Sequence, residues 1–232
     1  MPGRSESDRK PFPYVMSSNA NQSYSPANLR HLSDKEHVRE RPSMYLGDTS
    51  TGGLHCLVTE VIDNSIDEAL AGFASQLDVA LNADLSITVE DNGRGISVDR
   101  HDRLSEDINK ELSTLEGTMT VLNFNRRMSV ANFLSEWCRV EVCRDGQSYR
   151  QEYERGEPTT GVVCTGATDK QGTKVTFKPD AEIFQEAAFN SVALLKHLQL
   201  LTKATAGLQI YFRGQDINAL VEQETTADTQ ID

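Results

Sequence analysis

The sequence predicts an α+β fold in which a mostly antiparallel sheet carries helices on one face, so that the domain has two layers. Strand-like segments occur as pairs joined by tight turns, and they do not alternate singly with helices as they would in a parallel sheet. A long segment over residues 54–71 repeats apolar side chains at helical spacing. The chain has 232 residues, of which 38% are hydrophobic, and this is enough for one domain with a sizeable core.

Helices are predicted first along the chain. A short helix is expected over residues 33–40 and is ended by Pro42, because proline cannot continue a helical hydrogen-bond ladder. The helix over 54–71 precedes Gly72, which suits the left-handed position just past a helix end. Its apolar stripe is Leu54, Leu57, Val58, Val61, Ile62 and Ala69.

Hairpins supply most of the predicted sheet. Residues 77–81 and 86–91 predict one hairpin, and residues 139–144 and 148–153 predict another. The second turns at Asp145-Gly146, a pair that favours two-residue hairpin turns. The other predicted elements are helices over 105–122, 130–135 and 183–206 and strands over 162–165, 173–177 and 208–212.

The composition predicts three parts in the chain. Residues 1–30, rich in Ser, Asn and Pro, predict a disordered arm, and residues 31–213 predict a single domain. Residues 214–232 contain acids and no base, and they predict an acidic disordered tail with a short helix around 217–222.

Charge, hydropathy and cysteine usage exclude several classes of protein. The chain carries 35 acidic and 23 basic residues, a formal net charge of −12, so we expect it to act on DNA only indirectly, through other domains. No apolar run approaches the roughly 20 residues that span a bilayer, and the N-terminus has no apolar signal core, so a cytoplasmic protein is expected. The four cysteines form no C-x-x-C pair and predict reduced thiols.

The helix over 54–71 has a second, polar stripe. Glu60, Asn64, Asp67 and Glu68 share one side of it. Amide and carboxylate oxygens suit Mg²⁺, and a carboxylate one turn away could deprotonate a water molecule. The alternative is a solvated helix face without function.

A glycine-rich turn follows the strand that ends at Asp91. Residues 91–96, D-N-G-R-G-I, place two glycines around Arg94, which lets a flat ligand approach the backbone closely. Asp91 could accept a hydrogen bond from an exocyclic amine of that ligand. A plain turn is the alternative interpretation of the same residues.

These segments, in this order and spacing, resemble the ATP-binding domain of bacterial type II DNA topoisomerase B subunits, in gyrase and topoisomerase IV. Residues 41–48, R-P-S-M-Y-L-G-D, resemble a signature of that family, and residues 60–69, E-V-I-D-N-S-I-D-E-A, resemble its catalytic helix. Residues 91–96 resemble its adenine-reading turn, and Gly172-Thr173 its G-T element. The similarity runs from about residue 23 to 213 and implies the GHKL (Bergerat) fold shared with Hsp90, MutL and histidine kinases.

The resemblance also implies a role for each matching residue. Glu60 would be the catalytic general base, Asn64 would hold Mg²⁺ against the ATP phosphates, Asp91 would accept the adenine amine, and Thr173 would support Asp91. Tyr24 would belong to an arm that reaches into a partner's ATP site. The other implied pocket residues are Glu68, Arg94, Gly95, Ile96 and Arg144, the last at the pocket mouth.

The sequence departs from the family pattern at three points. The glycine-rich ATP lid is missing, since residues 119–122, M-T-V-L, lead through Arg126 and Arg127 directly into the next helix. Losing several backbone donors to phosphate is expected to weaken triphosphate binding by roughly two orders of magnitude or more, at about 1.5–3 kcal/mol each. Arg126 and Arg127 could replace part of that contact, or they could be solvated. Cys56 stands where the family has a histidine that polarises Glu60. The family also continues into a transducer domain and DNA-cleavage parts.

The resemblance implies a nucleotide-driven clamp that serves DNA supercoiling or decatenation together with a topoisomerase A-type subunit. We expect the isolated chain to bind the adenine end of ATP, to hydrolyse it poorly and to be monomeric. The alternative is a degenerate, lid-less paralogue that acts through protein contacts without enzymatic activity.

Overall fold

The computed structural model describes residues 32–185 and 187–221. The helices named in these ranges are α1 (Asp34–Glu40), α2 (Ser43–Leu46), α3 (Thr51–Leu70), α4 (Asp102–Ile108), α5 (Thr114–Thr120), α6 (Arg126–Phe133) and α7 (Ser191–Ala204). The strands are β1 (Gln76–Leu81), β2 (Ile87–Asp91), β3 (Ser135–Arg144), β4 (Gln147–Glu154), β5 (Glu157–Pro158), β6 (Val163–Ala167), β7 (Gly172–Pro179), β8 (Gln209–Phe212) and β9 (Gln215–Asp216). None of the helices in the described part of the chain combines the length and hydropathy needed to cross a membrane.

The strands of the described residues form one sheet in the order β5-β4-β3-β7-β2-β1-β8-β9, with β6 also pairing on β4. All neighbouring pairs are antiparallel except β1 and β8, which are parallel. The two predicted hairpins are β1–β2 and β3–β4, and β7 lies between them as the partner of both β2 and β3. The strand end at Asp91 and the start of β7 therefore lie side by side.

One face of the sheet is apolar and packs on helices. On β2, Ile87 and Val89 are buried and belong to the same core as Leu57 and Val61 of α3. The opposite face is polar, as the ion pair between Lys174 and Glu90 shows, with 3.4 Å between Nζ and Oε2. The α+β two-layer sandwich with a mostly antiparallel sheet is thus confirmed.

The R-P-S-M-Y-L-G-D segment anchors the start of α3. Ser50 caps the helix by accepting from the Gly52 N–H, and the Asp48 carboxylate accepts from the backbone N–H groups of Ser50 and Gly53. A Cβ on Gly53 would lie 1.9 Å from the carbonyl oxygen of Asp48. The segment and the helix can approach this closely only because residue 53 is glycine.

The prediction of one helix over 105–122 is wrong, because two helices occupy that region. Asn109 ends α4 in the left-handed conformation, at φ 52°, which asparagine tolerates better than most residues. Ser113 then caps α5 by accepting from the Glu116 N–H. Two local polar side chains thus divide the segment.

The helix predicted over 183–206 begins later, at Ser191, and the prediction of its start is wrong. Asn190 caps α7 by accepting from the N–H groups of Val192 and Ala193, each at 3.1 Å. Upstream, Ile183 and Phe184 form a turn on the carbonyl of Asp180.

The described residues 215–221 lie inside the segment predicted as a tail, and they are folded. They contain β9, followed by helical residues from 217. Ile217 is fully buried, and Asn218 accepts from the Ile210 N–H at 2.8 Å and donates to the Leu208 carbonyl at 2.9 Å. An apolar residue and a two-sided amide hold this part of the tail against β8.

Candidate functional site

The carboxylate of Asp91 is the most buried acid of the predicted site. Asp91 is the last residue of β2, and only 6% of the residue is exposed. Three hydrogen-bond donors surround its carboxylate. Oδ2 accepts from the Ser65 hydroxyl of α3 at 2.8 Å. Oδ1 accepts from the backbone N–H of Gly93 at 2.9 Å and of Thr173 at 3.3 Å. A carboxylate has about four acceptor positions, so these three bonds leave about one for a ligand.

Burial raises the pKa of Asp91 above its ordinary value near 3.8, against the lowering effect of the bonds from Gly93, Ser65 and Thr173. A perturbed carboxylate that is fixed by donors from a helix, a turn and a strand is typical of a functional site. The same contacts bring β2, β7 and α3 together around one point.

Gly172 allows that convergence. Its φ is +129°, and a Cβ there would lie 1.9 Å from the carbonyl oxygen of Asp91. No side chain fits at that distance, so the chain can place the Thr173 N–H on Asp91 only through glycine. In the predicted G-T element, Gly172 thus allows the backbone to come close to Asp91, and Thr173 supplies the N–H that donates to it.

A cavity of about 320 Å³ opens beside this carboxylate. Thr173 lines it and donates to Asp91, while Asn64, the neighbour of Ser65, lines it from α3. Its lining residues are Asn64, Glu68, Arg94, Gly95, Ile96, Ser97, Thr114, Arg144 and Thr173. Asp91 is not among these lining residues, but it is bonded to one of them, because its Oδ1 accepts from the Thr173 N–H. A volume of this size is at the lower end for a small-molecule site.

Two lining residues, Ser97 and Thr114, were not predicted. Ser97 directly follows Ile96 and could have been included as an extension of the glycine turn. Thr114 reaches the cavity because its N–H donates to the carbonyl of Asp99 at 2.8 Å, a contact between residues far apart in sequence.

A second cavity of about 620 Å³ is larger, but it contains none of the predicted site residues. Its lining is Asp34, His101, Arg103, Leu104, Asp107, Ile108, Val121, Asn123 and Phe124. The smaller cavity is the better candidate because a fixed, buried carboxylate and several convergent polar groups adjoin it.

Glu68 and Arg94 fasten the glycine turn to α3. Arg94 donates through Nη2 to Oε1 of Glu68 at 2.8 Å, and its Nε and backbone N–H both donate to Oε2. These bonds from Arg94 lower the pKa of Glu68. The guanidinium also lies 3.7 Å from the ring centroid of Phe73. The turn is thus held in place before any ligand enters.

Arg144 closes another side of the cavity. Its Nη1 donates to the carbonyl of Gly95 at 3.0 Å, and its Nε pairs with Asp145 at 3.0 Å. Ile96 donates its N–H to the Thr173 hydroxyl at 3.2 Å, so that hydroxyl keeps its own proton for another acceptor.

Glu60 lies one helical turn before Asn64 and is ion-paired. Its Oε1 is 3.4 Å from Nη2 of Arg126, and its Oε2 is 3.6 Å from Nε of Arg127. Both arginines belong to the first turn of α6, and they contact α3 instead of extending into solvent alone. The Glu60 side chain is 14% exposed.

One helical turn before Glu60 the chain has Cys56, so no histidine occupies that position. His55 faces α7, where its Nε2 accepts from the Asn190 N–H at 3.0 Å and its ring stacks on Phe189. Burial, and then the charge of Glu60, raise the pKa of Cys56, so this thiol stays protonated and uncharged.

Tyr24 lies outside the described residues. Among the described residues, no group of three or more His, Cys, Asp or Glu side chains is arranged to hold a metal ion. A Mg²⁺ at Asn64 would therefore take most of its ligands from phosphate oxygens and water, as this ion often does. Asn64 fits that requirement because it presents an amide on the cavity wall.

The chain matches known proteins over most of its length. Residues 50–183 match the family model described as histidine kinase-, DNA gyrase B-, and HSP90-like ATPase. The DNA gyrase B protein of Thermotoga maritima is 44% identical over 208 residues, covering 83% of this chain and 32% of that protein. The type 2 topoisomerase B protein of Aquifex aeolicus is 43% identical over 174 residues, covering 71% of this chain and 22% of that protein. The chain thus spans about a third or less of these curated relatives.

A solved structure agrees with this similarity. The 43K ATPase domain of Thermus thermophilus gyrase B, in complex with an aminocoumarin, superposes with a TM-score of 0.74 at 41% identity, covering 80% of this chain and 50% of that one. The sequence match and the shared fold lead to the same assignment. The chain belongs to the family of histidine kinase-, DNA gyrase B- and HSP90-like ATPases.

Proposed function

We propose that this chain is the ATP-binding domain of a type II DNA topoisomerase of the gyrase or topoisomerase IV kind, in the B-type component of that enzyme. The observation that carries the proposal is the buried Asp91 carboxylate, which keeps about one acceptor position beside a polar cavity. An adenine amine is a donor that fits this position. The aminocoumarin complex of the Thermus thermophilus relative supports a ligand in the corresponding domain.

In this proposal Asp91 accepts the adenine amine and the Thr173 hydroxyl supports it. Asn64 would hold Mg²⁺ through its amide oxygen, and the ion would supply positive charge that offsets the charge of the phosphates. Glu60 takes the proton of the attacking water as general base. The walls of the nucleotide pocket are Glu68, Arg94, Gly95, Ile96 and Arg144, and Tyr24 belongs to an arm that reaches a partner's site.

The isolated chain is proposed to be a weak ATPase. Cys56 offers Glu60 no charged partner, and the sequence lacks the glycine-rich lid that would hold the phosphates. A general base is most effective when a third group orients it, and an uncharged thiol does this poorly.

The test is calorimetric titration of the chain with adenosine, ADP and ATP in the presence of Mg²⁺, followed by a turnover assay. All three ligands are expected to bind, and turnover is expected to be slow and to fall about 10²-fold or more in Glu60→Ala, the lower end of what a general base contributes. Glu136→Ala, which removes a carboxylate paired with Lys178, is the control and should leave binding and turnover unchanged. Absence of binding by every adenine ligand would instead favour the non-enzymatic, lid-less paralogue.

The proposed setting is a cytoplasmic enzyme whose other domains and A-type subunit handle DNA, since a formal net charge of −12 disfavours direct contact with a polyanion. ATP would close two such domains into a clamp and hydrolysis would reopen it. We expect the isolated chain to elute as a monomer in size-exclusion chromatography with and without a non-hydrolysable ATP analogue. A stable dimer without nucleotide would contradict this expectation.

A further inference from the structure

Two arginines cover the acidic side of α3 at the point where the family lid is missing. Arg127 donates through Nη1 to Oδ2 of Asp67 at 2.6 Å, and its Nη2 is 4.0 Å from Oδ2 of Asp63. Together with the pairing to Glu60, this one guanidinium reaches three carboxylates along the helix. Arg126 reaches Glu60 alone. We call Arg126 and Arg127 the arginine pair.

The arginine pair lies next to the proposed phosphate end of the site. Both arginines pair with Glu60, and Asn64, one helical turn further along α3, lines the cavity, although Glu60 and the arginines are not among its lining residues. The side chains of Arg126 and Arg127 are 53% and 38% exposed, so both can rearrange without unfolding α6. Exposed ion pairs of this kind contribute little to stability, so exchanging their partners is easy.

The local charge requires compensation before a polyphosphate can enter. Glu60, Asp63 and Asp67 carry three negative charges against the two positive charges of the arginine pair. Phosphate offers guanidinium groups the same two-pronged acceptor geometry as a carboxylate, and with more charge. A nucleotide therefore competes directly with Asp67 and Glu60 for the arginines.

We propose that the arginine pair is an exchangeable latch that replaces the lid: it binds the carboxylates of α3 in the free protein and the phosphates of the nucleotide in the complex. This inference rests on the proposed function, because it assumes a nucleotide in the cavity. Exchange also frees Glu60 from both guanidinium groups when phosphate arrives. The same residues thus confer affinity for phosphate and keep the general base paired until substrate is bound.

The test compares adenosine with ATP, since only ATP has phosphates, by titrating both into a set of variants with Mg²⁺ present. In Arg127→Gln the dissociation constant for ATP is expected to rise about tenfold, as for one lost charged hydrogen bond, while that for adenosine stays unchanged. In Asp67→Asn, where Arg127 loses its nearest competitor, ATP is expected to bind severalfold more tightly. In the double variant the gain from Asp67→Asn should shrink, because the arginine that it frees is absent.

Arg150→Gln is the matched control, because the Arg150 side chain is also 38% exposed and also paired with a glutamate, Glu152. It should change neither affinity. The latch is overturned if Arg127→Gln and Arg150→Gln affect ATP equally, or if Asp67→Asn tightens ATP by the same factor with and without Arg127. Equal loss of adenosine and ATP in Arg127→Gln would also overturn it, since that indicates a structural role. If the unchanged protein fails to bind even adenosine, the proposed function and the latch both fail. If it binds adenosine but the variants give one of the overturning results for ATP, only the latch fails.

Discussion

Replacing Asp91 by asparagine is expected to remove adenine binding while leaving the fold intact. The asparagine oxygen can still accept from Gly93 and Thr173, and its amide can donate to the Ser65 hydroxyl, so every internal bond keeps a partner. The amide then faces the adenine amine with a donor where the carboxylate had an acceptor. Loss of a charged hydrogen bond together with two opposed donors costs about 3 kcal/mol, or roughly a hundredfold in affinity for adenosine.

A base swap provides the control for this prediction. Inosine carries a carbonyl in place of the adenine amine, so it should bind poorly to the unchanged protein and better to Asp91→Asn, in calorimetric titrations run side by side. If both ligands lose affinity equally in the variant, Asp91 acts on the pocket's shape and does not read the base.

The difference in stability between Asp91→Asn and the unchanged protein should depend on pH in a defined direction. Because burial raises the folded-state pKa of Asp91, the stability tied to this group is fully present below the ordinary value near 3.8 and is lost as pH rises through the raised pKa. Asparagine avoids that loss. Thermal unfolding should therefore show Asp91→Asn at least as stable as the unchanged protein at pH 7, with the difference closing as pH falls toward 4.

Replacing Gly172 by alanine is expected to have the largest effect on folding. The added Cβ meets the carbonyl oxygen and carbon of Asp91 at 1.9 and 2.8 Å, and both are backbone atoms that cannot turn aside. The strain at φ +129° adds to this clash. We expect a loss of about 3 kcal/mol or more in the free energy of unfolding, measured by urea titration, and no detectable adenosine binding, since β7 must leave Asp91.

Gly166→Ala separates the two causes. Gly166 has a similar φ, +138°, but a Cβ there meets nothing within 4 Å. It should cost about 1 kcal/mol, the low end for backbone strain alone, and retain adenosine binding. Equal losses in the two variants would show that the close approach to Asp91 is unimportant.

Local patterns were sufficient to predict most of the fold. Asp145-Gly146 turns the β3–β4 hairpin with both residues at positive φ, as that dipeptide predicts. Of the predicted apolar stripe of α3, all residues are buried except Ala69, which is partly buried. Errors arose where one polar side chain competes with a helix, at Asn109 and Asn190, because such choices depend on local hydrogen bonds that hydrophobic spacing does not reveal.

The residues that line the candidate cavity could be predicted where they belong to a motif that is continuous in sequence. They could not be predicted where tertiary packing alone brings them to the cavity. Residues of α3 and of the glycine turn were expected together and do line one cavity. Thr114 and the contacts of the arginine pair were not foreseen. Arg127 meets Asp67 across 60 residues of sequence, and only the tertiary packing of α6 on α3 decides that partner.

The pairing of β8 with β1 has a consequence for how the domain can be shortened. Residues 209–212 lie against residues 76–79 in the only parallel pairing of the described sheet, and Ile210 and Phe212 bury their side chains there. In a polypeptide cut after α7, β1 would become an edge strand with unpaired backbone N–H and C=O groups and apolar side chains beside them. Strands from other copies of the chain can pair with such an edge, which leads to aggregation. Fragments that omit residues 208–221 should accordingly collect in inclusion bodies, even though every residue of the cavity is still present in them.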